Sequence, residues 1–195
     1  MWDERYSAEE FAYGTEPNDF LAEHYNKIPT GKVLCLAEGE GRNSVYLARH
    51  GFTVTGVDAS SVGMQKAKRL AEKNNVAITT IVSDLADYAI APESYEGIVS
   101  IFCHVPKPLR EKLHQDVVAG LKPGGILLLE AYTPKQVTLG TGGPPTPELT
   151  MTLNDLLQEL SGLEILLAQE IERDVIEGIY HTGHAAVVQV IAQKN

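Results

Sequence analysis

The chain has only two cysteines, Cys35 and Cys103, and a single tryptophan among its 195 residues. Both cysteines sit in apolar runs without the paired spacing of a zinc site or redox motif, so a disulfide scaffold is excluded and both read as reduced core residues. Basic residues are also scarce: 16 Lys and Arg stand against 26 Asp and Glu, a formal charge of -10. With no dense basic run, a partner whose phosphates must be neutralised is disfavoured, which sets aside nucleic acid and anionic membrane. No segment approaches the roughly 18 apolar residues of a membrane span. The opening Trp2, Asp3, Glu4 and Arg5 lacks the apolar stretch of a signal peptide, so the expected location is the cytoplasm.

What remains is a globular composition, 44% hydrophobic and 22% charged, of a length that suits one core. One domain spanning 1–195 is expected; a monomer is compatible with this, and the oligomeric state is left open. Ser7 to Glu10 has capping-box spacing, and Phe20, Leu21, Tyr25 and Ile28 recur at near-helical period, so two short helices form an N-terminal cap over 1–30, with a turn at Gly14 to Pro17. Strand, turn and helix then follow as Lys32 to Ala37, Glu38 to Gly41 and Asn43 to His50, stopped by Gly51. The unit repeats with a strand from Phe52 to Val57 and a helix capped by Ser60 or Ser61. Further strands are expected over Val76 to Val82, Tyr95 to Cys103 and Ile126 to Ala131, with a helix opened by Pro106 and Pro108 before the last of these.

This alternation predicts an α/β, doubly wound, mostly parallel seven-stranded sheet with helices on both faces. The rhythm changes after Pro134. Residues 134–151 begin as a Gly-, Pro- and Thr-rich loop, a candidate substrate loop. Thr152 with Asp155 caps one more helix. Strands Leu163 to Ile171 and His184 to Ala192 are then too close for a helical crossover, so they pair as a C-terminal antiparallel hairpin.

The turn after the first strand, Ala37 to Asn43, carries Gly39 and Gly41, which let backbone approach a ligand. Asp58 ends the second strand about twenty residues on, where a carboxylate accepts from ribose hydroxyls. Asp84 ends the third strand beside Leu85, placed to meet an adenine amino group and ring. A dinucleotide fingerprint from Gly39 requires Gly or Ala at position 44, where Ser44 stands, and Glu38 and Glu40 are poor neighbours for a pyrophosphate. Both acids are compatible with a cationic cofactor.

The order of strands, glycine turn, Asp58, Asp84 and Lys122 to Gly125 resembles that of class I S-adenosylmethionine-dependent methyltransferases over nearly the whole chain. Glu40 to Asn43, Glu130 to Pro134 and Gly140 to Pro145 are similar to the tellurite-resistance (TehB-like) branch, itself related to thiopurine methyltransferases. The resemblance implies a Rossmann-like methyltransferase fold, S-adenosylmethionine as cofactor with S-adenosylhomocysteine as product, and a small-molecule acceptor such as a thiol or a selenium or tellurium oxyanion. It places Glu38, Gly39, Gly41, Asp58, Ala59, Asp84, Leu85 and Phe102 at the cofactor. The chain departs from the family at Cys35 and Ala37, where an acid and a glycine are usual, and Glu38 is the candidate substitute for the acid.

His104 and Tyr132, at the ligand-binding ends of the fourth and fifth strands, are the candidate catalytic residues, His104 as a base if the acceptor arrives protonated. Trp2, Tyr6 and Tyr13 are positioned to fold over the cleft or to anchor the cap. Arg5 has two readings, a cofactor carboxylate or a surface charge pair. His181 and His184 lie near the hairpin without the partners of a metal site, and no metal is expected. Two other functions fit parts of the pattern. The glycine turn with its ribose acid also suits a nicotinamide-dependent oxidoreductase, and Cys35 with Ala37 suits a non-catalytic cofactor-binding module.

Overall fold

The computed structural model describes residues 2–195. Seven strands form one sheet: β1 Lys32–Leu36, β2 Thr53–Asp58, β3 Thr79–Val82, β4 Tyr95–Ile101, β5 Leu121–Tyr132, β6 Glu164–Glu177 and β7 His181–Gln193. Their order is β3-β2-β1-β4-β5-β7-β6, with β7 antiparallel to both β5 and β6 and the other neighbours parallel. The order reverses between β1 and β4, which opens a crevice at the carboxyl ends of these strands.

Alternation along the central strands divides the core. Leu34, Leu36, Ile98, Leu127 and Leu129 pack with Leu113 and Val117 of α5 (Lys107–Gly120) and with Leu156 of α6 (Leu153–Glu159). Val33, Cys35, Val99, Ile126 and Leu128 face the other way, onto Phe20 and Leu21 of α2 (Asp19–His24) and Leu47 of α3 (Arg42–Arg49). α4 (Ser61–Lys73) packs on α3 through Leu70, Ala71 and Val45. Both cysteines are buried and free. Among the described residues, no helix is long and apolar enough to cross a membrane.

Several boundaries differ from expectation. The first helix is α1, Trp2–Arg5, and not a helix begun at Ser7. The Ser7 hydroxyl donates back to the Glu4 carbonyl, so it ends α1 instead of capping a new helix. β3 starts only at Thr79, because Asn75 adopts a left-handed turn (φ 56°) and Val76 still caps α4. β4 stops at Ile101, since Phe102 takes φ 52° while its amide donates to the Glu130 carbonyl. β5 begins at Leu121, through an irregular stretch in which Gly124 and Gly125 bond to Lys194.

The hairpin strands run past their predicted ends because Arg173, Val175 and Glu177 continue the pairing with Ala185, Gly183 and His181. The loop after β5 is not wholly irregular: Pro134–Thr138 forms a 3-10 turn. The buried Gln136 side chain ties that loop down, donating to Thr141 Oγ1 and the Gly142 carbonyl and accepting from the Ala186 amide.

One buried polar network joins distant parts of this frame. Glu130, with no exposed surface, accepts from Asn18, Arg173 and Gln189. Glu177 accepts from Asn18 and Arg42. Removing one partner of such a buried pair leaves an uncompensated charge and costs about 3 to 5 kcal/mol. We therefore expect Glu130→Leu, which takes from Arg173 its buried partner and leaves it the exposed Asp19 and the more distant Glu177, to lose stability of up to that order, read as a lower urea midpoint at unchanged slope.

Candidate functional site

The segment between β1 and α3 is built around one buried acid. Glu38 Oε1 accepts from the Ser44 amide at 2.7 Å. It therefore fills an amide in the first turn of α3, where a pyrophosphate would seek its donors. Glu38 thus braces the turn, from its β1 end, against the start of α3. Burial raises its pKa to about 7, against the Ser44 amide, which lowers it.

The two glycines have different tasks. Gly41 (φ 91°) caps α3, and a Cβ there would lie 2.6 Å from Ala67 Cβ, so it serves helix packing instead of facing the crevice. Gly39 (φ 62°) faces the N-terminal segment, where a Cβ would lie 2.7 Å from the Tyr6 hydroxyl. Its amide donates to Asp58 Oδ2 at 2.9 Å, while Asp58 Oδ1 accepts from Ser60 at 2.8 Å. The Asp58 carboxylate is thus fixed at the end of β2, its pKa raised by burial.

Asp84 and Leu85 follow β3 at the same edge, since Asp58 registers with Val82 and its carbonyl accepts from Ser83. Asp84 is exposed and accepts from the Ala86 amide, Leu85 is buried, and Ala59 is exposed beside Asp58. Gly39, Asp58 and Asp84 therefore share one edge of the sheet.

An N-terminal arm covers this edge. Asp3 accepts from Ser60 Oγ at 2.5 Å and from the Val62 amide at 3.2 Å. Tyr6 is buried, stacked between Trp2 and the glycine turn. The arm is held from below by Lys66, whose ammonium donates to the carbonyls of Ala8 and Glu10 at 2.9 and 2.7 Å and pairs with Glu40 at 2.5 Å. Glu40 also accepts from the Ala12 amide at 2.7 Å. Arg5 makes no ion pair among the described residues: it donates to the Tyr13 hydroxyl at 3.2 Å and its guanidinium lies 4.5 Å from the Tyr180 ring centre.

Past the strand reversal, the wall is aromatic. Phe102 and Tyr132 stack at 4.4 Å and His104 and Tyr132 at 5.5 Å, with interplanar angles of 21° and 13°. The strained Phe102 backbone is what turns its ring into this stack. His104 Nδ1 lies 2.9 Å from the Leu149 carbonyl, which only accepts, so this nitrogen carries the proton. Nε2 then accepts from the Tyr132 amide at 3.4 Å. Both ring nitrogens are engaged, and burial lowers the His104 pKa to about 4. His104 therefore ties the ends of β4 and β5 to the 147–149 turn.

His181 stands across this wall, 5.0 Å from Phe102 and 5.2 Å from Tyr132, nearly perpendicular to the latter. Tyr13 of the arm lies 4.5 Å away. Contrary to the sequence reading, both hairpin histidines have acidic neighbours: Glu177 at 3.8 Å from His181, and Glu172 and Asp174 at 3.1 and 3.3 Å from His184. Among the described residues, no group of three His, Cys, Asp or Glu side chains is arranged to hold a metal.

With this geometry in view, the chain can be compared with known proteins. Residues 33–125 match the family model described as a methyltransferase domain. The matched segment, just under half of the chain, runs from β1 into β5 and holds the glycine turn, Asp58 and Asp84. It is 32% identical over 116 residues to the ubiquinone biosynthesis O-methyltransferase of Actinobacillus pleuropneumoniae, covering 56% of this chain and 49% of that one. It is 41% identical over 68 residues to a 23S rRNA (uracil(747)-C(5))-methyltransferase of Pyrococcus horikoshii, covering 35% and 16%. The chain thus spans about half the length of the first of these relatives and less of the second. In fold it is similar to TehB from Haemophilus influenzae, with a TM-score of 0.73 and 24% identity over 91% of this chain and 62% of that one.

Glu38 sets a measurable pH dependence. Its folded pKa lies above the ordinary 4.5, so between about pH 4.5 and 7 the folded chain binds more protons than the unfolded one. Stability from the neutral form is present below 4.5 and is lost as pH rises toward 7, by on the order of 3 kcal/mol. We expect Glu38→Gln to remove this decline, seen as a flatter dependence of unfolding free energy on pH across that window.

Proposed function

We propose that the chain transfers the methyl group of S-adenosylmethionine to a small-molecule acceptor. The observation that carries this over a nicotinamide-dependent reaction is the Glu38 carboxylate on the Ser44 amide, which puts an acid where a dinucleotide would lay its phosphates. The residues present fit the sulfonium cofactor instead. Asp58 is held at the strand end with capacity left to accept from ribose hydroxyls, Asp84 and Leu85 lie beside it for the adenine, and Gly39 gives close backbone approach. Tyr6 and Trp2 bring aromatic faces to the glycine turn, the kind of surface that attracts a cation.

When bound, S-adenosylmethionine supplies an already activated methyl group, so the protein's work is to align the acceptor and exclude water. Phe102, His104 and Tyr132 form the wall on the acceptor side, and the Gln136-fastened loop closes beside it, with Gly143 packed on Tyr132. We take the acceptor to be a small molecule and the working place to be the cytoplasm. The net charge of -10 gives no footing for a nucleic-acid backbone. The resemblance of Glu40 to Asn43, Glu130 to Pro134 and Gly140 to Pro145 to the tellurite-resistance branch favours a soft acceptor, a thiol or a selenium or tellurium oxyanion.

The test is calorimetric titration with S-adenosylmethionine and with NADH, followed by an acceptor panel of thiols, chalcogen oxyanions and nitrogen bases read by S-adenosylhomocysteine formation. Binding of NADH alone would defeat the proposal; binding of S-adenosylmethionine without turnover on any acceptor would favour a non-catalytic module. Asp58→Ala should weaken S-adenosylmethionine binding more than tenfold in a protein that remains folded by circular dichroism, because ribose hydroxyls and two amides lose their acceptor.

A further inference from the structure

We propose that His181, backed by Glu177, is the residue that takes the proton from the acceptor during methyl transfer. This rests on the methyltransferase reading and adds a catalytic residue to it. The acceptor then belongs to the class whose nucleophilic atom still carries a proton, a thiol or hydroxyl, and not to the fully ionised oxyanions.

The first observation is that the other histidine of the site has no nitrogen to offer. His104 gives its proton to Leu149 and its lone pair to the Tyr132 amide. His181 is different. Its Nδ1 is buried and makes no hydrogen bond among the described residues, and the nearest charged group to it is Glu177 Oε2, at 3.8 Å. A proton on the ring is favoured on the nitrogen nearest a carboxylate, so Nδ1 holds it and Nε2 keeps the lone pair. That second nitrogen has no hydrogen-bond partner among the described residues, and the ring bearing it is set between Tyr13, Phe102 and Tyr132.

The second observation is that Glu177 is held ionised. Burial raises its pKa, but His181, Arg42 and Asn18 outweigh that and hold it at about 2. It therefore remains a carboxylate throughout the physiological range, able to steady an imidazolium as it forms.

The third observation is the shape around the ring edge. A Cβ on Gly142 (φ 117°) would lie 3.3 Å from His181 Cδ2 and 2.2 Å from the Tyr180 carbonyl, so only glycine lets the loop rest against that edge. The charged and titratable groups facing His181 are Glu177 on its own hairpin, Arg5 and Tyr13 on the arm, Arg42 on α3, and Tyr132 and His104 on the aromatic wall. Burial outweighs Glu177 and leaves the His181 pKa below its ordinary value, so the ring is neutral, and basic, at neutral pH.

The proposed step balances without a further reactant. As the acceptor atom bonds to the methyl carbon, its proton passes to His181 Nε2. The carbon–sulfur bond breaks with its electron pair going to sulfur, which becomes a neutral thioether, and the imidazolium later returns the proton to water.

The test combines 15N-histidine NMR of the whole chain with kinetics of His181→Asn on the acceptor that the panel returns. We expect a neutral ring protonated on Nδ1 at pH 7 that titrates below pH 6.5. We also expect kcat to fall about 100-fold or more in the variant, its acid limb in the pH–rate profile to vanish, and S-adenosylmethionine affinity to stay within about threefold by calorimetry. An Nε2-protonated ring at neutral pH overturns the proposal, as does a folded variant with wild-type turnover or an acceptor that carries no proton. Failure of the unmutated chain to bind S-adenosylmethionine overturns instead the reading on which the step rests.

Discussion

A carboxylate with no solvent contact has to be paired, and Glu130 is such a group, fixed near the carboxyl end of the central strand β5. Its oxygens are met by Asn18 ahead of α2, Arg173 on β6 and Gln189 on β7. Asn18 and Arg42 extend the network to Glu177, and the Asn18 amide donates to Asn43 on α3. Two carboxylates and two guanidiniums thus balance within one buried cluster. Such clusters contribute little net stability compared with a well-packed apolar core, but they penalise every arrangement in which one member is missing. The arm, the glycine turn, the fifth strand and the hairpin are therefore required to be in place together, and the site lies where they meet.

The arm illustrates how the requirement propagates. Asn18 fixes its far end in the network, while Lys66 and Glu40 fasten the stretch from Tyr6 to Ala12 by four backbone contacts and one ion pair. With both ends held, Tyr6 lies on Gly39 and Asp3 lies on Ser60, so the edge bearing Asp58 is covered by side chains from the start of the chain. Release of the whole arm would strip Lys66 and Glu40 of their contacts to the Ala8 and Glu10 carbonyls and the Ala12 amide, leaving only their own ion pair. Movement of α1 and Tyr6 alone breaks the Asp3 contacts to Ser60 and Val62, the Arg5 contacts to Tyr13 and Tyr180, the Tyr6 contact to Tyr13 and the long Lys66 contact to the Tyr6 carbonyl, and leaves the anchors at Ala8, Glu10 and Ala12 intact.

Periodicity and turn chemistry made most of the frame legible. The alternation of strands and helices, the caps at Ser60 and Thr152, and the pairing of the last two strands all rest on local rules, and they correspond to observed elements. So did Asp58 and Asp84, because strand ends at the crevice are a position that spacing alone can assign. The sequence reading missed what depends on contacts between residues 112 and 159 positions apart, such as Asn18 with Glu130 and with Glu177. Glu40 to Asn43 and Glu130 to Pro134 stood out by resemblance, yet nothing local says that Arg42 turns away from its own loop to the hairpin. His181 was placed near the hairpin without a partner for the same reason: its acid lies four residues back across a hairpin whose register had not been fixed, and its aromatic neighbours come from three other segments.

The same arrangement explains why the two sides of the crevice differ in character. Around the glycine turn, the acids are spent on protein groups: Glu38 on Ser44, Glu40 on Lys66 and Ala12, Asp58 on Gly39 and Ser60. What this side presents is an acid-rich edge under aromatic rings, a setting that repels phosphate and attracts positive charge. On the other side, Arg42 and Arg173 are each paired with a buried carboxylate, Glu177 and Glu130, which offsets their charge, although Nη1 of Arg42 makes no hydrogen bond among the described residues. That side is lined by the ring faces of Phe102, Tyr132 and Tyr13 around the His181 imidazole. Such a wall is suited to holding a neutral nucleophile near a cation until its proton can leave, and poorly suited to an acceptor that arrives fully charged.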